Sequence, residues 1–412
     1  MPEIFQNFTG IFGVIILLLI AFLLSSNRRG INLRIVLSAL GLQTALAFIF
    51  LKFDGGIAAI ISLSNAVDSL LDYGRSGVEF LFGDLADSEK MGQIFAVQVL
   101  PVVIFFSALM AILYHYRIMP VLVAVIGGGL QAIIGTRPVE SLNAAANIFV
   151  GQTEAPLAIK PFLDKVTGPQ LFALMVSGLA SIAGTVLAAY AGIGIELEYL
   201  LVASLLAAPG GLLMAKIMVP DETQDEDDAL AIRSILEEKS PHTNGFMAAA
   251  AGASDGMKLA FNIGAMLIAF FSLITLANGM IGWIGGFTPV DDLSLQKMLG
   301  WLFSPLMFVV GIPWSEAQAA GALFGEKIIL TEFVAYFNLI AASEGLSPRT
   351  VTIMTFALCG FANLLSIGIL LGGLGALVPD RMGEIATYGM RALIAASLSN
   401  LMSATLAGLM VG

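Results

Sequence analysis

The sequence predicts an all-α polytopic membrane protein. Of its 412 residues, 58% are hydrophobic and 12% are charged, and the mean hydropathy is +0.92. A soluble domain carries about 25% charged residues, so this chain has too little charge for a surface that faces water on every side. Ten stretches of 17 or more residues contain no Asp, Glu, Lys or Arg, and a helix needs about 20 apolar residues to cross a bilayer. A soluble enzyme, a disordered chain and a nucleic-acid-binding domain are excluded.

The uncharged stretches predict eight membrane-spanning helices. Arg28, Arg29 and Arg34 follow the first of them, and the positive-inside rule places such residues in the cytoplasm. An even number of spans that starts outside also ends outside, so both termini are expected in the periplasm of a bacterial inner membrane. The stretch 54–90 is too polar to cross lipid and predicts an interfacial helix. The expected spans are about 8–25, 32–52, 92–115, 168–194, 198–219, 256–284, 350–378 and 388–411.

Two further apolar segments, 138–165 and 295–342, are interrupted by polar and helix-breaking residues. The first contains the sequence G-Q-T-E-A-P at 151–156, and the second contains Gly311 and Pro313. Each segment predicts a helix, a tip and a second helix, which together form a re-entrant hairpin. Non-helical backbone persists at membrane depth only where it is buried in protein or lines a cavity.

Short sequence matches indicate that the second half of the chain repeats the first. Each repeat consists of a hairpin, a broken span and a span, and the single span between the repeats makes the second copy inverted. Inverted repeats with broken helices are typical of secondary transporters, whose site lies at the repeat interface. The matched segments are 153–155 with 315–317, 178–181 with 360–363, and 203–205 with 396–398.

The sequence argues against catalysis. It contains one cysteine, Cys359, and two histidines, His115 and His242, which are expected at helix edges or in loops. A nucleophile with a histidine base is therefore not expected within the membrane. The chain contains no G-x-x-x-x-G-K-[ST] motif, which excludes a P-loop ATPase. An enzyme is not expected. A channel would need a continuous lined pore and is the more remote alternative to a carrier.

Glu154 and Glu332 are the most informative carboxylates. A carboxylate at membrane depth costs about 3 kcal/mol or more, so it indicates a site or a pathway; the alternative is a hairpin tip that reaches water. Residues 147–156 also supply amides and a hydroxyl around Glu154. This set of neutral donors and acceptors favours a polar, uncharged ligand. Glu316 follows Pro313 and is explained equally well as a helix cap.

Four segments resemble the bacterial concentrative nucleoside transporters, and the resemblance covers essentially the whole chain. They are S-N-R-R-G-I-N-L-R at 26–34, N-I-F-V-G-Q-T-E-A-P-L at 147–157, E-F-V-A-Y at 332–336 and C-G-F-A-N-L-L-S-I-G-I-L-L-G-G-L-G at 359–375. The resemblance implies a homotrimeric symporter of nucleosides that is coupled to sodium or protons. It also implies a static scaffold and a mobile transport domain that moves like an elevator.

The resemblance divides the chain into a scaffold and two transport repeats. The scaffold comprises 1–137, with spans one to three and interfacial helices, and 246–290, with span six. The transport domain comprises 138–219 and 291–412, and 220–245 forms an acidic cytoplasmic loop.

Site residues follow from the resemblance position by position. The proton-coupled members depart from the N-x-x-x-G-Q-T-E-A-P pattern, so sodium is the expected coupling ion, no other cofactor is expected, and proton coupling is the alternative. The preference for purine or pyrimidine nucleosides stays open. The base is expected to contact Gln152, Thr153, Glu154, Val186 and Phe361, and the ribose is expected to contact Glu332, Asn363 and Ser366. Sodium is expected at the side chains of Asn147 and Ser181 and the carbonyls of Val150 and Ile182.

Overall fold

The computed structural model describes residues 3–92, 94–221, 241–285 and 293–411, and every regular element within them is a helix. The all-α class predicted from the sequence is therefore confirmed. Most of the predicted acidic loop at 220–245 lies outside the described residues.

The helices of the first half include a 3₁₀ helix at Ala155–Lys165. The α-helices of this half are α1 (Glu3–Leu23), α2 (Leu33–Leu51), α3 (Asp54–Phe82), α4 (Ser88–Met91), α5 (Phe95–Gln98), α6 (Leu100–His115), α7 (Ile118–Ile134), α8 (Pro138–Ala146), α9 (Gly168–Ala180), α10 (Gly184–Gly192) and α11 (Leu197–Met218). Those of the second half are α12 (Gly245–Gly285), α13 (Leu295–Val310), α14 (Trp314–Ile329), α15 (Glu332–Ala342), α16 (Pro348–Leu358), α17 (Leu364–Leu377) and α18 (Met382–Val411).

Six helical segments of the described chain are long and apolar enough to cross a bilayer. Two of the predicted spans lie outside this set for visible reasons: α1 offers only the shorter apolar helix Thr9–Leu23, and the predicted seventh span is divided between α16 and α17. The chain is a multi-pass membrane protein, and the number of eight spans stays a prediction. The six segments are Leu33–Leu51, Phe95–His115, Gly168–Gly192, Leu197–Met218, Gly245–Trp283 and Pro379–Val411.

The predicted interfacial stretch contains one long helix, α3. Its buried residues recur at the three- and four-residue spacing that places side chains on one face of a helix, and Phe80 on the opposite side is 92% exposed. This amphipathic pattern is what a helix in the interface requires. The buried residues are Gly56, Ile60, Ser64, Leu71, Gly74 and Val78.

The second predicted hairpin differs from the prediction, which placed a single tip near Pro313. The segment contains three helices and two breaks: α13 and α14 meet at an angle of 117°, and a second break separates α14 from α15. The second break places Glu332 just after a helix end, as Glu154 follows the end of α8. The match of 153–155 with 315–317 stays a prediction. Glu316 accepts hydrogen bonds from the amide and hydroxyl of Ser347 at 3.2 and 2.9 Å.

The helices of the two predicted repeats form the buried centre of the fold. In α9–α10 and in α11, 89% of the most apolar window is buried, whereas the corresponding fraction in α12 is 11%. Peripheral α12 packs on α6 through two glycines four residues apart. A Cβ atom added at Gly252 would lie 2.5 Å from the Ser107 carbonyl oxygen, and one added at Gly256 would lie 2.7 Å from the Ser107 Cβ. Glycines at this spacing allow membrane helices to approach closely.

Candidate functional site

The first hairpin tip presents two buried oxygen atoms that lack hydrogen-bond partners among the described residues. The chain leaves helical geometry after α8, and the Asn147 amide nitrogen donates to the carbonyl of Asn143 at 2.9 Å. Oδ1 of the same Asn147 side chain accepts no hydrogen bond from the described residues, and neither does Oε1 of Gln152. Both side chains pack on the last turn of α9, where a Cβ at Gly178 would lie 2.9 Å from the Gln152 Cβ and 3.8 Å from Asn147 Oδ1.

The break between α9 and α10 lies against this tip. Ser181 ends α9 in extended conformation, and its hydroxyl donates to the carbonyl of Ser177 at 3.0 Å. The amide of Gly184, at the start of α10, donates to the carbonyl of Phe149 in the tip at 3.0 Å. Val150 is half-buried and Ile182 is buried. The structure therefore brings the tip that contains Asn147 and Val150 onto the break that contains Ser181 and Ile182.

These oxygen atoms fit a sodium ion. Asn147 Oδ1 is a buried acceptor that needs a partner, since an unsatisfied buried polar group costs about 1–3 kcal/mol. Hydroxyl, amide and carbonyl oxygens are the ligands that hard cations prefer. Membrane carriers supply them from unwound helices, as in this break and tip.

The second break fixes the buried carboxylate of Glu332. Thr331 is the N-cap residue of α15, which begins at Glu332. Oε1 of Glu332 accepts a hydrogen bond from the Tyr190 hydroxyl at 2.8 Å, and Oε2 accepts one from the Asn363 amide nitrogen at 2.8 Å. Asn363 Oδ1 in turn accepts from the amide of Ser366 at 2.8 Å and caps α17. The three residues assigned to the ribose from sequence are therefore brought together.

The residues assigned to the base are placed less uniformly. Val186 is buried, Thr153 and Phe361 are half-buried, and Glu154 is exposed. The Thr153 methyl group packs on α17, because a Cβ at Gly373 would lie 2.5 Å from it. The exposure of Glu154 fits a site that is open to water and also fits the alternative of a solvated tip.

The break between α9 and α10 touches the break between α16 and α17. The amide of Phe361 donates to the carbonyl of Ser181 at 3.1 Å. Asn400 of α18 bridges the same region, since its amide nitrogen donates to the carbonyl of Ala180 at 2.7 Å and to that of Cys359 at 2.9 Å. The ion-site candidates of one repeat and the ribose-site candidates of the other thus belong to one hydrogen-bonded body.

Sequence reasoning missed three residues of this body: Tyr190, Lys327 and Asn400. The ammonium of Lys327, in α14, donates to Oδ1 of Asn400 at 2.7 Å. For Asn400 a signal existed, because an amide in the charge-free stretch 392–412 is costly in a membrane unless it is bonded. Tyr190 gave no such signal, since tyrosine is common at membrane interfaces.

A separate ion cluster ties the first hairpin to the end of α11. The ammonium of Lys216 lies 2.5 Å from Glu140 of α8 and 2.7 Å from Asp221. Glu140 is fully buried and also accepts from the Arg137 amide at 3.1 Å, which caps α8. This cluster fixes the base of the first hairpin to the end of α11.

A cavity of about 910 Å³ lies elsewhere, and none of the candidate site residues lines it. Its walls come from α3, α6 and α10 and include Phe337 of α15. At its rim, hydrogen bonds from Lys90 to Asp84 and Asp87 raise the pKa of that ammonium above its usual value. The sequence-predicted site therefore does not coincide with this cavity.

Comparison with known proteins gives the family. A family model described as Na+ dependent nucleoside transporter C-terminus matches residues 199–408. The corresponding N-terminal model matches residues 12–85, and a model described as nucleoside recognition matches residues 96–196. The chain belongs to the Na+-dependent concentrative nucleoside transporter family. It is a transporter of nucleosides and not an enzyme.

Similar proteins and solved structures support the membership of the chain in this family. The chain is 46% identical to the nucleoside permease NupC of Helicobacter pylori over 99% of both chains. It resembles the structure of CNTnw in an inward-facing, substrate-bound state, with a TM-score of 0.94, 46% identity and coverage of 99% of this chain and 98% of that one. A variant of CNTnw in an outward-facing state matches with a TM-score of 0.93 and 45% identity over 98% of both chains. CNTnw and its variant are therefore known in states open to either side.

Proposed function

We propose that the chain is a symporter that couples the uptake of one nucleoside to the inward movement of sodium. The observation that carries the proposal is the contact between two helix breaks. The break between α9 and α10 packs on the tip that contains the unpartnered amide oxygen of Asn147. The break between α16 and α17 ends at Asn363, which donates to the carboxylate of Glu332. The hydrogen bond from Phe361 to Ser181 joins them.

The ribose is assigned to Glu332, Asn363 and Ser366. A carboxylate can accept two hydroxyl hydrogen bonds at once, and charge-assisted hydrogen bonds are the strong ones. Glu332 is already oriented by Tyr190 and Asn363, so its remaining lone pairs have a defined direction. The vicinal hydroxyls of a ribose match this acceptor.

The base is assigned to the first tip and its neighbours. Gln152 and Thr153 offer both donors and acceptors to the edge of a nucleobase, and the Gln152 side-chain oxygen is unpartnered. Val186 and Phe361 would pack on the base, and Glu154 would accept a hydrogen bond from it. These roles match the positions that the family resemblance assigns.

Sodium is assigned to the side chains of Asn147 and Ser181 and the carbonyls of Val150 and Ile182. Asn147 and Val150 belong to the same tip as Gln152, Thr153 and Glu154. Ordering of that tip by sodium would therefore also order the groups that bind the base. Such a shared element gives a coupling free energy between the two ligands, and the coupling is reciprocal.

The membrane potential makes this coupling useful. It contributes about 2.3 kcal/mol per charge per 100 mV. One sodium ion, driven by the potential and its own gradient, can therefore concentrate a neutral nucleoside on the order of a hundredfold, since every 1.4 kcal/mol is a factor of ten.

Alternating access is assigned to an elevator motion of the two repeats within a homotrimer. The buried helices α9–α11 fit a compact moving body, and the exposed α12 fits a scaffold that faces lipid or a second copy. The described inward- and outward-facing states of CNTnw support alternating access. We place the protein in a bacterial inner membrane with both termini in the periplasm.

Uptake of labelled uridine into proteoliposomes tests the coupling ion. Sodium is replaced by choline while an inward pH gradient is imposed. We expect uptake to require sodium and to ignore the pH gradient. Full uptake in choline would instead establish proton coupling. Uridine flux that does not saturate, together with conductance steps in electrical recordings, would indicate a channel.

A further inference from the structure

The cavity of about 910 Å³ lies between the two predicted parts of the chain. The lining residues from α3, α5 and α6 belong to the predicted scaffold, and those from α10 and α15 belong to the predicted repeats. Small-molecule sites in proteins have volumes of about 300–1,000 Å³ and combine apolar walls with a few polar groups. The predicted order of the spans places the start of α6 and the end of α10 on the periplasmic side, so we expect the cavity to face the periplasm.

One part of the cavity lining is aromatic. Phe95 of α5 and Phe337 of α15 both line the cavity, and their ring centres are 5.3 Å apart at an interplanar angle of 73°. Phe337 is 36% exposed, so part of its ring is open to a ligand. Aromatic side chains bind nucleobases by stacking, because every base has a flat π face. This part of the lining therefore fits the base of a nucleoside.

Three carboxylates and two cations lie in the other part of the lining. The carboxylate of Glu79 has no ion-pair partner among the described residues, whereas both cations are paired with aspartates. A carboxylate can accept hydroxyl hydrogen bonds from a ribose, and such charge-assisted bonds are strong. The excess of carboxylates repels a phosphate group, so a nucleoside fits this lining better than a nucleotide. The pairs are Lys90 with Asp84 and with Asp87, and Arg75 with Asp72.

An aromatic cluster connects the cavity to the proposed ribose carboxylate. The ring centre of Phe333 lies 5.4 Å from that of Phe95, which lines the cavity, and 5.1 Å from that of Tyr190. The Tyr190 hydroxyl donates to Glu332 at 2.8 Å. Phe95 belongs to the predicted scaffold, whereas the other three residues belong to the predicted repeats. Sliding of the repeats along the scaffold would therefore change the cavity and this cluster together.

We propose that the cavity is a second nucleoside site whose occupation slows transport. The base stacks on Phe337 and Phe95, and a ribose hydroxyl donates to Glu79. This inference rests on the proposed function, in which the repeats move relative to the scaffold. A ligand that contacts both parts stabilises the arrangement in which both contacts exist, and it thereby opposes the movement. None of the proposed ion ligands lines the cavity, so binding there needs no sodium.

The first test measures sodium-driven uptake of labelled uridine over a wide range of concentrations, with the unaltered protein in proteoliposomes. We expect uptake to rise to a maximum and then to fall at least about twofold, because the second site stabilises one state of the carrier once it fills. A curve that simply saturates would overturn the inference and leave the proposed function standing. Absence of sodium-dependent uptake would overturn the proposed function itself.

Glu79→Gln removes the charged acceptor of the second site, and Phe337→Leu removes its ring while keeping an apolar side chain. Each should move the falling part of the curve about tenfold to higher uridine concentration, since a hydrogen bond to a charged group or a stacked ring is lost. The uridine concentration at half-maximal uptake should stay unchanged. Asp68→Asn and Phe80→Leu are matched controls on α3, because both residues are exposed and neither lines the cavity. An unchanged curve in Glu79→Gln and Phe337→Leu would overturn the inference.

A binding measurement separates the two sites. Labelled uridine is titrated onto purified Glu332→Gln protein, in which the proposed ribose carboxylate is absent, in sodium and in choline. We expect residual binding that is equal in both salts, that uridine monophosphate does not displace, and that an added Glu79→Gln weakens about tenfold. Absence of residual binding, or residual binding that requires sodium, would overturn the inference. If thermal unfolding shows that Glu332→Gln does not fold, the uptake curve of the unaltered protein decides.

Discussion

The hydroxyl of Tyr190 donates a hydrogen bond to the carboxylate of Glu332 at 2.8 Å, and both residues are buried. Tyr190 lies in α10, in the first predicted repeat, whereas Glu332 begins α15, in the second predicted repeat. The proposed ribose carboxylate is therefore held in place from the opposite repeat. Any movement of α10 relative to the second hairpin would change its orientation.

Tyr190→Phe should weaken nucleoside binding about tenfold. A hydrogen bond to a charged group contributes about 1.5–3 kcal/mol, and its loss leaves one oxygen of Glu332 without this donor. The apparent affinity is measured by uridine uptake and by calorimetry on the purified protein. Tyr336→Phe is the matched control, because that hydroxyl donates to the carbonyl of Thr355. It should lower the melting temperature and leave the affinity unchanged; an equal loss in both variants would contradict the assignment.

Glu332→Gln should lower uridine uptake at least about tenfold without loss of the folded protein, because the ribose loses a charged acceptor. Asn363→Ala should act similarly, since it removes the donor to Oε2. Free nucleobases should compete poorly with uridine for the same reason. Competition by uracil at the same concentration as uridine would show that the sugar is not bound here.

Asn147→Ala should raise the sodium concentration needed for half-maximal uptake about tenfold. The variant removes a buried oxygen that lacks a hydrogen-bond partner among the described residues, so its loss should cost ion binding more than folding. Uptake is measured over a sodium series at saturating uridine. Asn65→Ala, on the exposed side of α3, is the control. An unchanged sodium dependence would remove Asn147 from the ion site.

Gly360→Ala should abolish transport, whereas Gly368→Ala should be tolerated. A Cβ at Gly360 would lie 2.5 Å from Asn400 Oδ1 and 2.7 Å from the carbonyl of Ala180, so the two breaks could not stay in contact. A Cβ at Gly368 meets nothing within 4 Å. Uptake and thermal unfolding of the two variants are compared in parallel. Equal behaviour would show that close approach of the breaks is not required.

Much of the fold follows from composition. Uncharged stretches of about 20 residues leave helices as the element that satisfies every backbone group in lipid, and the breaks at Ser181 and Gly360 were expected from the repeat. The positions of the two breaks in the second hairpin segment were not both expected. Gly311 and Pro313 are strong breakers and predict the bend that the structure has there, whereas Leu330 and Thr331 give only a weak cap signal, so the second break was not predicted.

The site was predictable only in part. The contact between Glu332 and Asn363 agrees with the set that the resemblance assigned to the ribose. The donor Tyr190 and the bridge through Asn400 depend on which helices lie side by side. No periodicity or spacing in one chain determines that arrangement. The roles of all these residues in binding stay predictions.

The Lys216 cluster also has a practical consequence for protein engineering. Asp221 follows the end of α11 at Met218, and its carboxylate is bound to the same ammonium as Glu140 of the first hairpin. A fluorescent protein or a fiducial marker inserted shortly after Asp221 would therefore be attached to the folded core and not to a free helix end. A marker there would report the orientation of the first hairpin.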